Sequence, residues 1–112
     1  VKRIDVYLRL GRVSNLPTIW TNVLAGAMLA GVSLRAGRVV ATALAMSLLY
    51  TAGMFLNDAF DRRFDARDRP DRPIPAGLVA PLEVFAIGYA LLGAGVTLVA
   101  ATALWPALAL AA

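Results

Sequence analysis

The sequence predicts an all-α integral-membrane protein, with three transmembrane helices and the start of a fourth. Three observations carry that prediction. Hydrophobic residues make up 60% of the 112 positions, and the mean hydropathy is +0.71, against roughly 45–50% apolar residues in soluble domains. The apolar residues fall into three long stretches, and the charged residues are gathered between them. Crossing about 30 Å of hydrocarbon at 1.5 Å per residue takes about 20 mostly apolar residues, which each stretch supplies. A chain of 112 residues holds one domain at most, taken here as 1–112.

The first segment, Val1 to Val13, carries Lys2, Arg3, Arg9 and Arg12 beside Asp5. No small-residue cleavage site ends the apolar run after it, so a retained first span is expected in place of a signal peptide. That span is predicted over about 16–34, with Pro17 in the first turn, where its missing N–H costs little. Arg35, Gly37 and Arg38 predict a short outer turn, and a second span follows over about 39–56. A charged loop occupies 57–81, and a third span is predicted over about 82–105. Gly26, Ala30 and Gly31 in the first span, and Gly88, Gly93 and Gly95 in the third, predict close helix packing. After Trp105 and Pro106 the sequence turns apolar again and stops at Ala112, which reads as a fourth span cut short. The protein is therefore expected to continue beyond this chain.

Lys and Arg set orientation: four in the N-terminal segment, five in the loop (Arg62, Arg63, Arg67, Arg69, Arg72) and two at Arg35 and Arg38. The N-terminus and the long loop are expected on the cytoplasmic side, with Trp105 an anchor at the opposite interface. The excess of 11 basic over 7 acidic residues does not form a stripe, so nucleic acid is not an expected partner. With neither Cys nor His, the chain has no disulfide, zinc site, thiol nucleophile or imidazole base. A metal here would be a hard cation on oxygen ligands.

The chemically informative stretch is LNDAFDRRFDARDRPDRPIPAG, from Leu56 to Gly77. If the second helix continues past the membrane surface, Asp58, Asp61 and Asp65 at i, i+3 and i+7 share one face, with Asn57 on the neighbouring edge. Clustered carboxylates repel unless a cation sits among them, and oxygen ligands alone suit Mg²⁺, which completes its shell with water and phosphate. Five arginines interleave with the acids, and guanidinium groups suit phosphate oxygens. The alternative is a solvated loop whose charges pair locally, Asp58 with Arg62 and Asp65 with Arg69. An EF-hand is excluded, because the acids do not alternate around a central Gly. Pro70, Pro73, Pro75 and Gly77 are expected to fix the loop's return to the third helix.

The pattern Asn57-Asp58-x-x-Asp61-x-x-x-Asp65 resembles in full the first aspartate-rich motif of the UbiA prenyltransferase superfamily. Arg72-Pro73-Ile74-Pro75-Ala76-Gly77 is similar to the family's RP(L/I)PSG element, with Ala76 for the usual Ser, and NLPTIWTNVLAG from Asn15 to Gly26 looks like its first helix. The resemblance covers nearly the whole chain, about the first third of a family member and the first part of a multi-helix bundle. It implies a Mg²⁺-dependent transferase that ionises a prenyl diphosphate and passes the prenyl group to an acceptor, commonly aromatic, such as 4-hydroxybenzoate.

Carried over by position, the resemblance implies that Asn57, Asp58, Asp61 and Asp65 hold Mg²⁺ directly or through water, with Asn57 and Asp61 the leading catalytic candidates. Arg63 and Arg72 are the candidate diphosphate contacts. Arg12 and Asn22 are further substrate-binding candidates, although topology setting for Arg12 and helix–helix hydrogen bonding for Asn22, with Thr18, compete with that role. Trp20, Tyr50, Thr51 and the three methionines are expected only to pack.

The family's second aspartate-rich motif has no counterpart, since the acids outside 58–71 are Asp5 and Glu83. The chain alone is thus expected to be inactive and to need further helices of the same protein. The short stretch between Asp65 and Arg72 resembles family branches that prenylate chlorophyllide or glycerol-phosphate lipids as much as the hydroxybenzoate branch. The expected location is a bacterial inner membrane. The competing reading is a small non-catalytic three-span protein whose charged loop sets topology.

Overall fold

A computed structural model describes residues 2–31 and 37–111, with side chains described as far as Thr102. Every regular element among them is helical: α1 (Arg3–Leu10), α2 (Leu16–Leu29), α3 (Gly37–Phe60), α4 (Arg62–Asp68) and α5 (Pro81–Ala111), with a 3₁₀ turn at Val13–Asn15 before α2. Two of these, Gly37–Phe60 and Pro81–Thr102, are long and apolar enough to cross a membrane.

The first predicted span is shorter than expected. α2 has 14 residues, about 21 Å of helix, and gives way at Ala30 and Gly31, where Gly31 has φ 74°. Leu34 and Arg35 lie outside the described residues. Gly37 and Arg38, expected in the outer turn, instead open α3. The first N–H groups of a helix have no intrahelical partner, so a polar first turn at a membrane surface suits them.

At the other end, α5 runs through the predicted stop at Trp105 and Pro106 to Ala111, so the expected break before a fourth span is not seen among the described residues. Proline removes one backbone hydrogen bond, and helices of membrane proteins tolerate that loss where the freed group finds another partner. The side chain of Trp105, expected as an interfacial anchor, lies outside the described residues.

α3 and α5 pack antiparallel, with Gly88 against Leu56 and Gly95 against Leu49, and glycine sets how closely. A methyl group at Gly88 would lie 2.8 Å from Leu56 Cδ2, and one at Gly95 would lie 2.7 Å from Leu49 Cδ2. These two glycines carry the predicted close packing. Gly26 and Gly93 do not, since a methyl group on either would meet nothing within 4 Å. α2 and the 3₁₀ turn before it are tied to α3 by polar contacts: Trp20 Nε1 donates to Ser47 Oγ at 2.7 Å, and Asn15 Nδ2 donates to Tyr50 Oη at 3.1 Å. Trp20 therefore does more than pack.

The buried core sits at the loop end of the bundle, not midway along the spans. Val6 and Leu10 of α1, Phe55 and Ala59 of α3, Ile74 and Val79 of the loop and Val84 of α5 form one cluster. The loop joins it through a compact turn in which Ala76 N donates to Arg72 O at 2.9 Å, Gly77 N to Ile74 O at 3.0 Å and Leu78 N to Pro73 O at 2.9 Å. Gly77 has φ 79°, a conformation that suits glycine and closes the turn. The prolines and Gly77 thus fix the return to α5 as the sequence predicts.

Candidate site at the loop end of α3

The acidic motif straddles a break between two helices. α3 ends at Phe60 and α4 starts at Arg62, with Asp61 between them at φ −89°, ψ 6°. Backbone bonds carry the helical path across the break: Asp61 N donates to Asn57 O at 2.9 Å and Asp65 N to Asp61 O at 2.8 Å. The four motif residues therefore stay within about two turns.

They do not share one exposure. Asp58 and Asp65 are 5% and 1% exposed, whereas Asn57 and Asp61 are open to the surroundings. This differs from the expectation that Asp58, Asp61 and Asp65 share one face. Among the described residues, no three acids come close enough together to hold a metal ion. Helical geometry explains the split: at 100° per residue, positions seven apart nearly eclipse while a position three on is turned by about 60°.

Arginines occupy the space between the two buried acids. Arg72 Nη1 donates to Asp65 Oδ2 at 3.1 Å and to Asp58 Oδ1 at 3.4 Å. Arg12 Nη2 donates to Asp58 Oδ1 at 3.2 Å, while its Nη1 lies 3.2 Å from Met54 Sδ. Arg12 reaches this position from a left-handed backbone, φ 48°. Arg69 Nη1 is 3.8 Å from Asp65 Oδ1, an oxygen that is buried and accepts no hydrogen bond. Of the local pairs considered, Asp65 with Arg69 forms and Asp58 with Arg62 does not. Arg62 instead donates to Ala59 O at 2.8 Å and lies over the Phe85 ring.

Arg63 is exposed on α4. Asn22 is not at this cluster: it lines an open cavity of about 790 Å³ between α2 and α3, with Ile19, Val23, Met46, Leu49 and Tyr50. Oxygen donors alone, in a chain without His or Cys, fit a hard cation. Asn57 and Asp61, exposed and one turn apart, are the donors free to meet one, and Asp65 Oδ1 is a buried oxygen still lacking a hydrogen-bond donor.

A second polar cluster was not foreseen from the sequence. Tyr7 Oη donates to Glu83 Oε1 at 2.7 Å, and Arg3 pairs with the same carboxylate. The Tyr7 hydroxyl first and Glu83 second raise the pKa of Arg3 above its ordinary value. Arg9 Nη2 donates to Asp71 O at 3.2 Å. These contacts put α1 and the loop at the same end of the bundle. The signal available in sequence was that Glu83, one of two acids outside 58–71, opens an apolar helix.

Residues 17–112 match the model described as UbiA prenyltransferase family. A digeranylgeranylglyceryl phosphate synthase of Methanopyrus kandleri is 39% identical over 95 residues, 83% of this chain and 35% of that protein. The enzyme of the same name from Ignicoccus hospitalis is 37% identical over 94 residues, 83% of this chain and 30% of its own length. That of Natronomonas pharaonis is 47% identical over 73 residues, 65% and 24% respectively. The chain spans about a third of the length of the first two of these relatives. No solved structure matches it.

Proposed function

Because the chain belongs to the UbiA prenyltransferase family, we propose that it supplies half of the diphosphate-binding centre of a membrane prenyltransferase. The observation that carries this reading is the exposed turn of Asn57 and Asp61, backed by the arginine-held acids Asp58 and Asp65 at the loop end of α3. Asn57 and Asp61 would hold Mg²⁺, with water and diphosphate oxygens completing its shell. When bound, the ion supplies charge stabilisation to the departing diphosphate. Arg63, exposed beside this turn, is suited to contact the same phosphate oxygens.

The transferred group is a geranylgeranyl unit and the acceptor a glyceryl phosphate already carrying one, a reading supported by the names of the relatives. In that reaction the bond from prenyl C1 to the diphosphate oxygen breaks, a bond forms from C1 to the glyceryl oxygen, and the hydroxyl proton is lost. The aromatic acceptor expected first has no support among these relatives, nor has a bacterial inner membrane. The loop end, rich in Arg and Lys, faces the cytoplasm in this reading.

The test uses the complete reading frame that encodes this chain, expressed in membranes. Transfer from geranylgeranyl diphosphate to geranylgeranylglyceryl phosphate is expected, with 4-hydroxybenzoate a poor acceptor. Asp61→Ala should insert normally and lower the rate on the order of 10²–10³-fold, as loss of one transition-state electrostatic partner does. Unchanged transfer by Asp61→Ala removes the assignment.

A further inference from the structure

We propose that Asp58, Asp65, Arg72 and Arg12 form an internal charge lock that positions Asn57 and Asp61, and that the two buried acids do not themselves bind the cation. This rests on the metal-site reading above and divides the motif into two holding residues and two presenting residues.

Charge balance is the first reason. Asp58 and Asp65 are buried at 5% and 1% exposure, so each needs neutralising where it stands. Arg72 touches both, Arg12 touches Asp58, and the half-exposed Arg69 lies 3.8 Å from Asp65, so guanidinium groups already match the two carboxylates in full. A divalent cation placed among them would leave the buried cluster with an uncompensated positive charge, which a low-dielectric setting disfavours.

Topology is the second reason. Arg72 arrives from the loop and joins α3 to α4 across Asp61, where the helix is interrupted. Arg12 joins the segment before α2 to the same carboxylate and does so from φ 48°. A non-glycine residue stays in that conformation only where its surroundings hold it. The direction in which Asp61 and Asn57 face is therefore set through Asp58, whose partner Arg12 stands 46 positions away in the chain.

Asp65 Oδ1 is the point on which the proposal can fail. It is buried without a hydrogen-bond donor, with the Arg69 guanidinium 3.8 Å away. If Asp65 is a direct ligand, that oxygen is where the cation binds.

The two outcomes separate in a set of variants of the complete reading frame, with bound Mn²⁺ counted by electron paramagnetic resonance and thermal unfolding followed in parallel. Arg72→Met leaves the buried Asp65 carboxylate without its hydrogen-bond donor and Asp65→Leu leaves Arg72 and Arg12 sharing Asp58 alone, so each should lower the unfolding midpoint and weaken Mn²⁺ by about tenfold or more, as loss of an orienting partner does. Asp65→Leu/Arg72→Met removes both charges and should recover Mn²⁺ affinity to within about tenfold of the parent.

A double variant that binds Mn²⁺ no better than Asp65→Leu makes Asp65 a ligand and overturns the proposal. So does tighter Mn²⁺ binding by Arg72→Met, the sign expected if the arginine merely competes with the metal. Parent protein that binds no Mn²⁺, or Asp61→Ala that binds it as well as the parent, refutes the metal reading instead. The lock is then judged on the midpoints: recovery in the double variant supports it, and additive losses overturn it.

Discussion

Replacing Gly95 with alanine probes the contact that builds the bundle. The new methyl group would lie 2.7 Å from Leu49 Cδ2, 2.9 Å from Leu49 Cγ and 3.3 Å from Leu49 N. Carbon pairs are at their best near 3.5–4.0 Å, so the overlap approaches an ångström. Rotating Leu49 relieves the first two contacts, but the third is backbone and moves only if α3 and α5 separate. Overpacking of this kind costs about 1–3 kcal/mol. At Gly88 the close neighbours are side-chain atoms, Leu56 Cδ2 at 2.8 Å and Cγ at 2.9 Å, with Phe55 Cβ at 3.4 Å, so its cost should fall nearer the lower end. Gly93 has nothing within 4 Å, and alanine there should be neutral or should gain up to about 1 kcal/mol from reduced backbone freedom. Unfolding in detergent, followed by far-ultraviolet circular dichroism, should rank the variants Gly95→Ala, Gly88→Ala, Gly93→Ala from least to most stable. Gly95→Ala as stable as Gly93→Ala would refute the α3–α5 register.

Tyr7→Phe removes the hydroxyl bonded to Glu83 and should cost about 0.5–1.5 kcal/mol, read as increased proteolysis of α1 in detergent. Trp20→Phe loses the bond to Ser47 and should destabilise the protein by a similar amount, measured in the same unfolding assay, with no loss of Mn²⁺ binding because Ser47 lies about two turns or more from the acidic motif. At Arg12, both Arg12→Ala and Arg12→Gly lose the pair with Asp58, but glycine accepts φ 48° without penalty. Arg12→Gly should therefore be the more stable by about 1–2 kcal/mol in chemical unfolding. Equal stability would show that the left-handed turn is not retained without the arginine.

Much of the architecture is legible in the sequence because it follows from local rules. Val39 to Leu56 and Val84 to Thr102 are long runs without a charged residue, and a helix satisfies the backbone of such runs in hydrocarbon. Pro73, Pro75 and Gly77 likewise specify a tight return whatever surrounds them. The limits of the helices were less legible. Pro106 reads as a stop yet lies within α5, and Arg38 reads as a turn yet opens α3, since both outcomes depend on where freed backbone groups find partners.

For the site, the sequence by itself determined which residues are present and how far apart they lie: an amide and three carboxylates within about two helical turns, flanked by arginines, in a chain with neither His nor Cys. Spacing alone gives every one of those acids an equal claim to a cation. Only the tertiary structure decided that Asp58 and Asp65 turn inward while Asn57 and Asp61 remain outside. The physical reason is distance along the chain. The partners that neutralise the inward pair, Arg12 and Arg72, stand 46 and 14 residues from Asp58, and no local periodicity encodes a contact made by folding back over that separation.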